Sequence, residues 1–150
     1  MNKCIFLLSF LFVGCGGESD SNVSNEVLGR WKTGCFTDDV IDYWVTSEYI
    51  FSDSEIERIG FIYEDENCTL GISGTNGGPV VKKGEYFFLD SVLTSEGLNA
   101  DIYGTYFLSR DESEISELGV YIEGNVLYFV FENAEGYYVN FEHPYYNNNE

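Results

Sequence analysis

Hydrophobic and polar positions divide the chain into three stretches of different character. Residues 5–13 are apolar apart from Ser9, and residues 16–26, GGESDSNVSNE, are small, polar and acidic. From Val27 onward the two classes alternate with a period of two. Tyr43, Val45, Ser47, Tyr49 and Phe51 interleave with Trp44, Thr46, Glu48 and Ile50; Tyr137, Val139 and Phe141 interleave with Tyr138, Asn140 and Glu142. Side chains of a strand point alternately to opposite faces, so this pattern predicts half-buried strands.

The best-defined unit is ELGVYIEGNVLYFVF, residues 117–131. Gly124-Asn125 suits a two-residue hairpin turn of the primed type. That turn sets Ile122 opposite Leu127, Val120 opposite Phe129 and Leu118 opposite Phe131, six apolar residues on one face. Glu117, Gly119, Tyr121 and Glu123 share the other face with Val126, Tyr128 and Val130. Turn chemistry and hydropathy therefore require the same register. Other breaks fall at residues 52–54, 75–79, 110–116 and 133–136, and residues 91–98 have room for one helical turn. Eight or nine strands result. About eight antiparallel strands close most economically as an up-and-down barrel, which leaves no sheet edge exposed. A two-layer β-sandwich is the alternative.

The apolar run at residues 5–13 is too short to span a bilayer, which takes about 20 residues. It has the size of a signal-peptide core and follows a positive Met1-Asn2-Lys3. It ends in Phe12-Val13-Gly14-Cys15. This resembles the lipobox of bacterial lipoproteins, although Phe12 replaces the usual Leu. The resemblance implies cleavage before Cys15 and acylation of its thiol, with three acyl chains, palmitate among them. Anchoring by more than one chain is stable, at about 0.8 kcal/mol per buried CH₂. The resulting order is a leader over residues 1–14, a flexible tether over 15–26, a domain over 27–146 and a disordered tail over 147–150. Gly16 after the anchor, rather than Asp, resembles sorting to the outer membrane of a Gram-negative cell.

Charge and sulfur sharpen this picture. The formal net charge is −19, and loss of Lys3 with the leader would take it to −20. Such a surface argues against nucleic acid, which calls for clustered Lys and Arg, and against anionic lipid headgroups. With Cys4 in the leader and Cys15 lipidated, Cys35 and Cys68 remain in an oxidising compartment. A bridge between them would contribute roughly 3–4 kcal/mol. Zinc would need four N or S ligands, and a redox pair more typically has two residues between its cysteines.

At the first strand, Gly29-x-Trp31 resembles the G-x-W signature of lipocalin-like barrels, in which the Trp plugs the closed end. Cys35, Asn67-Cys68-Thr69, the hairpin GNVLYF and the closing FEHPYY extend the resemblance to a group of small lipocalin-like lipoproteins. Two family features are missing. There is no T-D-Y motif, and Glu142-His143-Pro144 stands where an arginine would pack over the Trp.

Catalytic signals are sparse. His143 is the sole histidine, and nothing near it suggests a Ser-His-Asp set. Acidic pairs such as Asp38-Asp39, Asp111-Glu112 and the run Glu64-Asp65-Glu66 are expected by chance among 26 carboxylates. No EF-hand loop is present, and GISGTNGG is not followed by Lys-Ser or Lys-Thr. Neither cofactor nor metal is implied, and the chain reads as a non-enzymatic protein. Its candidate partners are the membrane, through the lipid, and either a small apolar ligand or a surface partner. An apolar ligand would be lined by Leu127, Phe129 and Phe131. A protein or glycan partner would instead meet exposed aromatics such as Tyr137-Tyr138 and Tyr145-Tyr146.

Overall fold

Alternation along each strand becomes an inside and an outside once the strands join. A computed structural model describes residues 26–38, 42–72, 79–107 and 115–149. They form β1 (Gly29–Thr33), β2 (Phe36–Asp38), β3 (Tyr43–Phe51), β4 (Glu55–Tyr63), β5 (Val80–Leu93), β6 (Asn99–Phe107), β7 (Ser116–Glu123), β8 (Val126–Asn133) and β9 (Gly136–Asn147), with no helix among the described residues. From β2 to β9 every strand pairs antiparallel with the next, and β1 pairs with both β9 and β3. β2 continues along β3 beyond β1, after a one-residue shift at Gly34-Cys35. Together β1 and β2 form one stave of a closed, eight-stranded up-and-down barrel. Because the hydrogen-bonded ring is continuous, the sandwich alternative does not apply.

The register follows the inner ring from stave to stave. Trp31 faces Tyr49, Tyr49 faces Arg58, and Arg58 faces Lys82. Farther round, Tyr86 faces Thr105, Val120 faces Phe129, and Leu127 faces Tyr145. In the β7–β8 hairpin, Ile122 pairs with Leu127 and Val120 with Phe129, as the turn chemistry requires. Gly124 takes φ 61° at the first turn position while Asn125 does not adopt positive φ, which makes the turn type II′. This ladder ends at Gly119↔Val130, so Leu118 pairs instead with Tyr103 and Phe131 with Tyr138.

Short turns at 52–54, 94–98 and 124–125 gather at one end, the turn end. The opposite strand ends, at Asp38 and Tyr43, Tyr63 and Val80, Phe107 and Ser116, and Asn133 and Gly136, form the other, the loop end. The turn end is filled. Trp31 is buried there with Val27, Phe51, Ile56, Tyr86, Tyr103 and Leu127, and its Nε1 donates to the Val27 carbonyl at 2.8 Å. Edge-to-face contacts tie the rings together: Phe51 to Tyr86 (5.2 Å), Tyr86 to Tyr103 (5.6 Å) and Tyr49 to Phe129 (5.0 Å). Such pairs contribute beyond the area they bury.

Two expectations are corrected. Residues 91–98 form no helical turn. β5 stays extended to Leu93 past a bulge at Phe88/Asp90, and Val92, Leu98 and Ala100 pack with Val130, Val139, Tyr121, Tyr128 and Tyr137 in a second apolar cluster. Ser95 N then donates to the Tyr137 carbonyl at 2.8 Å, hooking the hairpin tip to β9. Nor are residues 147–149 a loose tail. Asn147 N donates to Asn125 O at 2.9 Å, Asn148 N to Arg30 O at 2.8 Å, and Arg30 N to Asn149 Oδ1 at 2.9 Å. Asn148 and Asn149 thus complete the β1 seam through Arg30, and Asn147 joins the β7–β8 turn, which explains their order.

Gly84 marks the tightest point of the wall. A Cβ there would stand 2.8 Å from Phe107 Cα, with the Tyr106 carbonyl closer still. Neither obstacle is a flexible side chain, so the strand itself must move. Gly84→Ala should lower the unfolding free energy by about 1–3 kcal/mol in urea titration, and an unchanged midpoint would contradict this packing.

Candidate functional site

The floor of packed rings stops short of the loop end. Above it lie two adjoining recesses of about 300 and 330 Å³, both bordered by Phe36 and Arg58. Val45, Ser47, Ile62, Val80 and Lys82 line the first. Tyr49, Leu118, Phe129, Phe131, Asn140, His143 and Tyr145 contribute to the second. The volumes lie at the lower end of ligand-site dimensions.

Strand geometry explains why the recesses lie here. The β1–β9 ladder holds only three residue pairs, ending at Thr33↔Tyr145. Beyond that point β2 follows β3 while β9 follows β8. Phe36 and His143 meet across the divergence, ring on ring at 4.4 Å. β9 is also irregular between its pairings with Leu127 and Phe129, where Tyr145 and Asn140 are the partners. Space therefore opens beside Asn140 and His143.

The Cys35–Cys68 bridge, with Cα atoms 5.8 Å apart, ties this end together. It joins the β1–β2 junction to the β4–β5 connection. Cys68 has φ 53°, an unusual conformation for a residue with a side chain, and Asp65 builds the turn that holds it. The Asp65 carboxylate accepts from Thr69 N (2.9 Å), Thr69 Oγ1 (2.7 Å) and Leu70 N (2.6 Å). The Leu70 amide, foremost among these donors, keeps the Asp65 carboxyl below its ordinary range. Within the acidic run at 64–66, this carboxylate serves the turn. Among the described residues no three His, Cys, Asp or Glu side chains converge as a metal site.

The residues singled out in the sequence fall in different places. Cys15, Asp39, Asp111 and Glu112 lie outside the described residues. Gly29 takes φ 120°, with Asn149 where its Cβ would be, and Trp31 lies in the floor. Phe129 and Phe131 line the second recess. Leu127 belongs to the filled half at 0% exposure, so its proposed lining role is corrected. It sits beside the type II′ turn, one layer too deep. Tyr145 is buried against Tyr49 and Phe129 (5.6 and 4.9 Å), which removes it from any exposed aromatic patch, whereas Tyr146 is exposed.

Arg58, Lys82, Phe36, Asn140 and His143 were not legible as site residues. In Glu55–Tyr63 both faces carry apolar side chains, so alternation alone does not say which way Arg58 points. Its guanidinium lies 5.7 Å from the Tyr49 ring centroid. No family model, no curated protein and no solved structure matches this chain.

Buried phenols give the site an alkaline limit. Burial pushes Tyr49 up to about 12, against the lowering influence of Arg58, and pushes Tyr86 up to about 12, with Asp53 adding to the effect. Tyr103 and Tyr145 also move up, chiefly through burial. The folded state binds these protons more tightly than the unfolded chain. Their contribution is therefore complete below the ordinary value of 10.0 and is lost as pH rises toward 12. Tyr49 alone should account for roughly 2–3 kcal/mol of that loss. Tyrosinate absorbance should rise together with loss of near-ultraviolet dichroism; ionisation of every tyrosine near 10 with the fold intact would disprove the burial.

Proposed function

We propose that this chain is an exported, lipid-anchored and non-enzymatic binding protein whose barrel mouth holds a small ligand with an apolar part. One observation carries the binding role: the recesses bordered by Phe36 and lined by Val45, Ile62, Leu118, Phe129 and Phe131, above a floor of packed aromatic rings. A wholly packed barrel would favour a pure scaffold, and a wholly hollow one a deep carrier. A half-filled lumen suits a compact ligand held near the opening.

The address rests on the sequence alone: the positive start, the short apolar run, Cys15 and the acidic stretch that follows. Val27, completely buried beneath Trp31, marks where a tether from Cys15 would give way to the domain. A lipocalin-like relationship, read from Gly29, Trp31 and the closed barrel, belongs to the same proposal. A second reading, a protein- or glycan-binding wall, draws on the outer rings: Tyr128 meets Phe141 edge-on at 5.0 Å, and Phe141 is half exposed.

The neutral fluorophore N-phenylnaphthylamine should brighten on titration into the protein, and 1-decanol should displace it. No brightening would remove the ligand-binding reading. Separately, intact-mass analysis of detergent-extracted protein from an expressing bacterium should show loss of residues 1–14 and the mass of a diacylglyceryl group with an added acyl chain. A soluble product with free Cys15 would remove the anchor.

A further inference from the structure

The recesses hold an unusual share of the protein's few cations. The chain has 7 Lys and Arg against 26 Asp and Glu. Three of the basic side chains lie on the outer wall with partners there. Arg30 meets Glu48 at 2.7 Å, Lys83 meets Glu57 at 3.1 Å, and Lys32 lies 5.9 Å from the Phe61 ring centroid. Arg58 and Lys82 lie on the inner face, directly opposite each other in the β4–β5 ladder, and both line the first recess. Among the described residues, the charged ones bordering the two recesses are Arg58, Lys82 and Glu117. Glu117 pairs with Gly104, whose Cβ position is covered by the Phe87 ring on the outer wall, so its carboxylate belongs to that outer face. In a protein of net charge −19, two cationic side chains thus share one inner wall of the described barrel.

Polar groups on the same wall match this sign. Ser47, itself only 7% exposed, lines the first recess with Arg58; its backbone bonds to Thr33, while its hydroxyl makes no hydrogen bond of good geometry. It is nonetheless close enough to the Tyr145 phenol to favour that group's ionised form. A guanidinium offers several N–H donors in a planar fork suited to an oxyanion. Apolar surface at Leu118, Phe129 and Phe131 lies across the shared Arg58 boundary, in the second recess. We infer that the ligand is an amphiphilic anion, with its oxyanion head held by Arg58 and Lys82 and its apolar part against Leu118, Phe129 and Phe131. This rests on the binding role proposed above and adds the charge of the ligand.

Displacement of N-phenylnaphthylamine by three molecules of equal chain length tests it: decanoate, 1-decanol and decyltrimethylammonium. Decanoate should compete best and the cation worst, and added salt should weaken decanoate alone. Arg58→Gln should weaken decanoate roughly 10- to 100-fold and leave 1-decanol within about twofold. Lys82→Gln should reduce the same preference, which keeps the test available if the Arg58 variant does not fold. Equal competition by all three molecules, or an anion preference that survives both substitutions, would overturn the charge assignment while leaving the recess as a binding site. Failure of every probe to bind would overturn the binding role and this inference with it.

Discussion

Five residues hold the barrel shut. β1 pairs with β3 from Gly29 to Lys32 and with β9 from Trp31 to Thr33, so the ring closes through a stave barely longer than one turn of ladder. An open sheet of this size would present two edges of unpaired amides and carbonyls. Closure also forces the inner side chains into a common volume, and at this seam the inner side chain is Trp31. The indole is nearly fully buried and hydrogen-bonded to the carbonyl of Val27, just before the strand. Asn148 and Asn149 brace the seam from outside by bonding to Arg30. Circumference, floor and mouth all inherit their positions from this contact.

The lumen is divided by chemistry as well as by packing. Toward the turn end, Tyr86 and Tyr103 surround Trp31 and Phe51, and their phenols stay protonated because ionisation in such a setting is costly. Toward the loop end, Arg58 and Lys82 line the first recess. Arg58 lies where the two regimes meet, over the face of Tyr49. That ring meets the cation over its face and makes T-shaped contacts with Phe129 and Tyr145. A cation over an aromatic face keeps a favourable electrostatic contact without a carboxylate. It can therefore stand ready for an incoming anion at modest cost.

Much of this architecture was legible in the sequence, for reasons that can be named. The β7–β8 register could be read because Gly124 permits the turn and the apolar positions on both arms agree with it. The bridge between Cys35 and Cys68 could be read because no other pairing remained once Cys4 and Cys15 were assigned. The plug could be read from Gly29-x-Trp31. Depth along the barrel axis could not. Leu127 and Phe129 share a face and differ by one layer, yet one lies in the floor and the other borders a recess. The direction of Arg58 was equally hidden, because Ile59 and Phe61 make the outer face of β4 as apolar as the inner. The order of Asn148 and Asn149 depends on Arg30, over a hundred positions away, and no local pattern carries that information.

The mouth is the part of the barrel where the ladder is incomplete, and this explains how it holds open a space that the turn end fills. Past Thr33↔Tyr145 the described strands have no pairing between β2 and β9, and the tilted rings of Phe36 and His143 meet there instead. Without another constraint such a gap would tend to collapse onto the nearest apolar surface, since voids lined by side chains lose packing energy. Two restraints oppose that collapse. The disulfide fixes the β1–β2 junction to the turn built on Asp65, and the bulged β9 keeps Asn140 and His143 away from the regular course of the strand. A compact ligand would fill that volume and recover contacts that the empty mouth lacks, so the restraints that hold the space open also favour an occupied one.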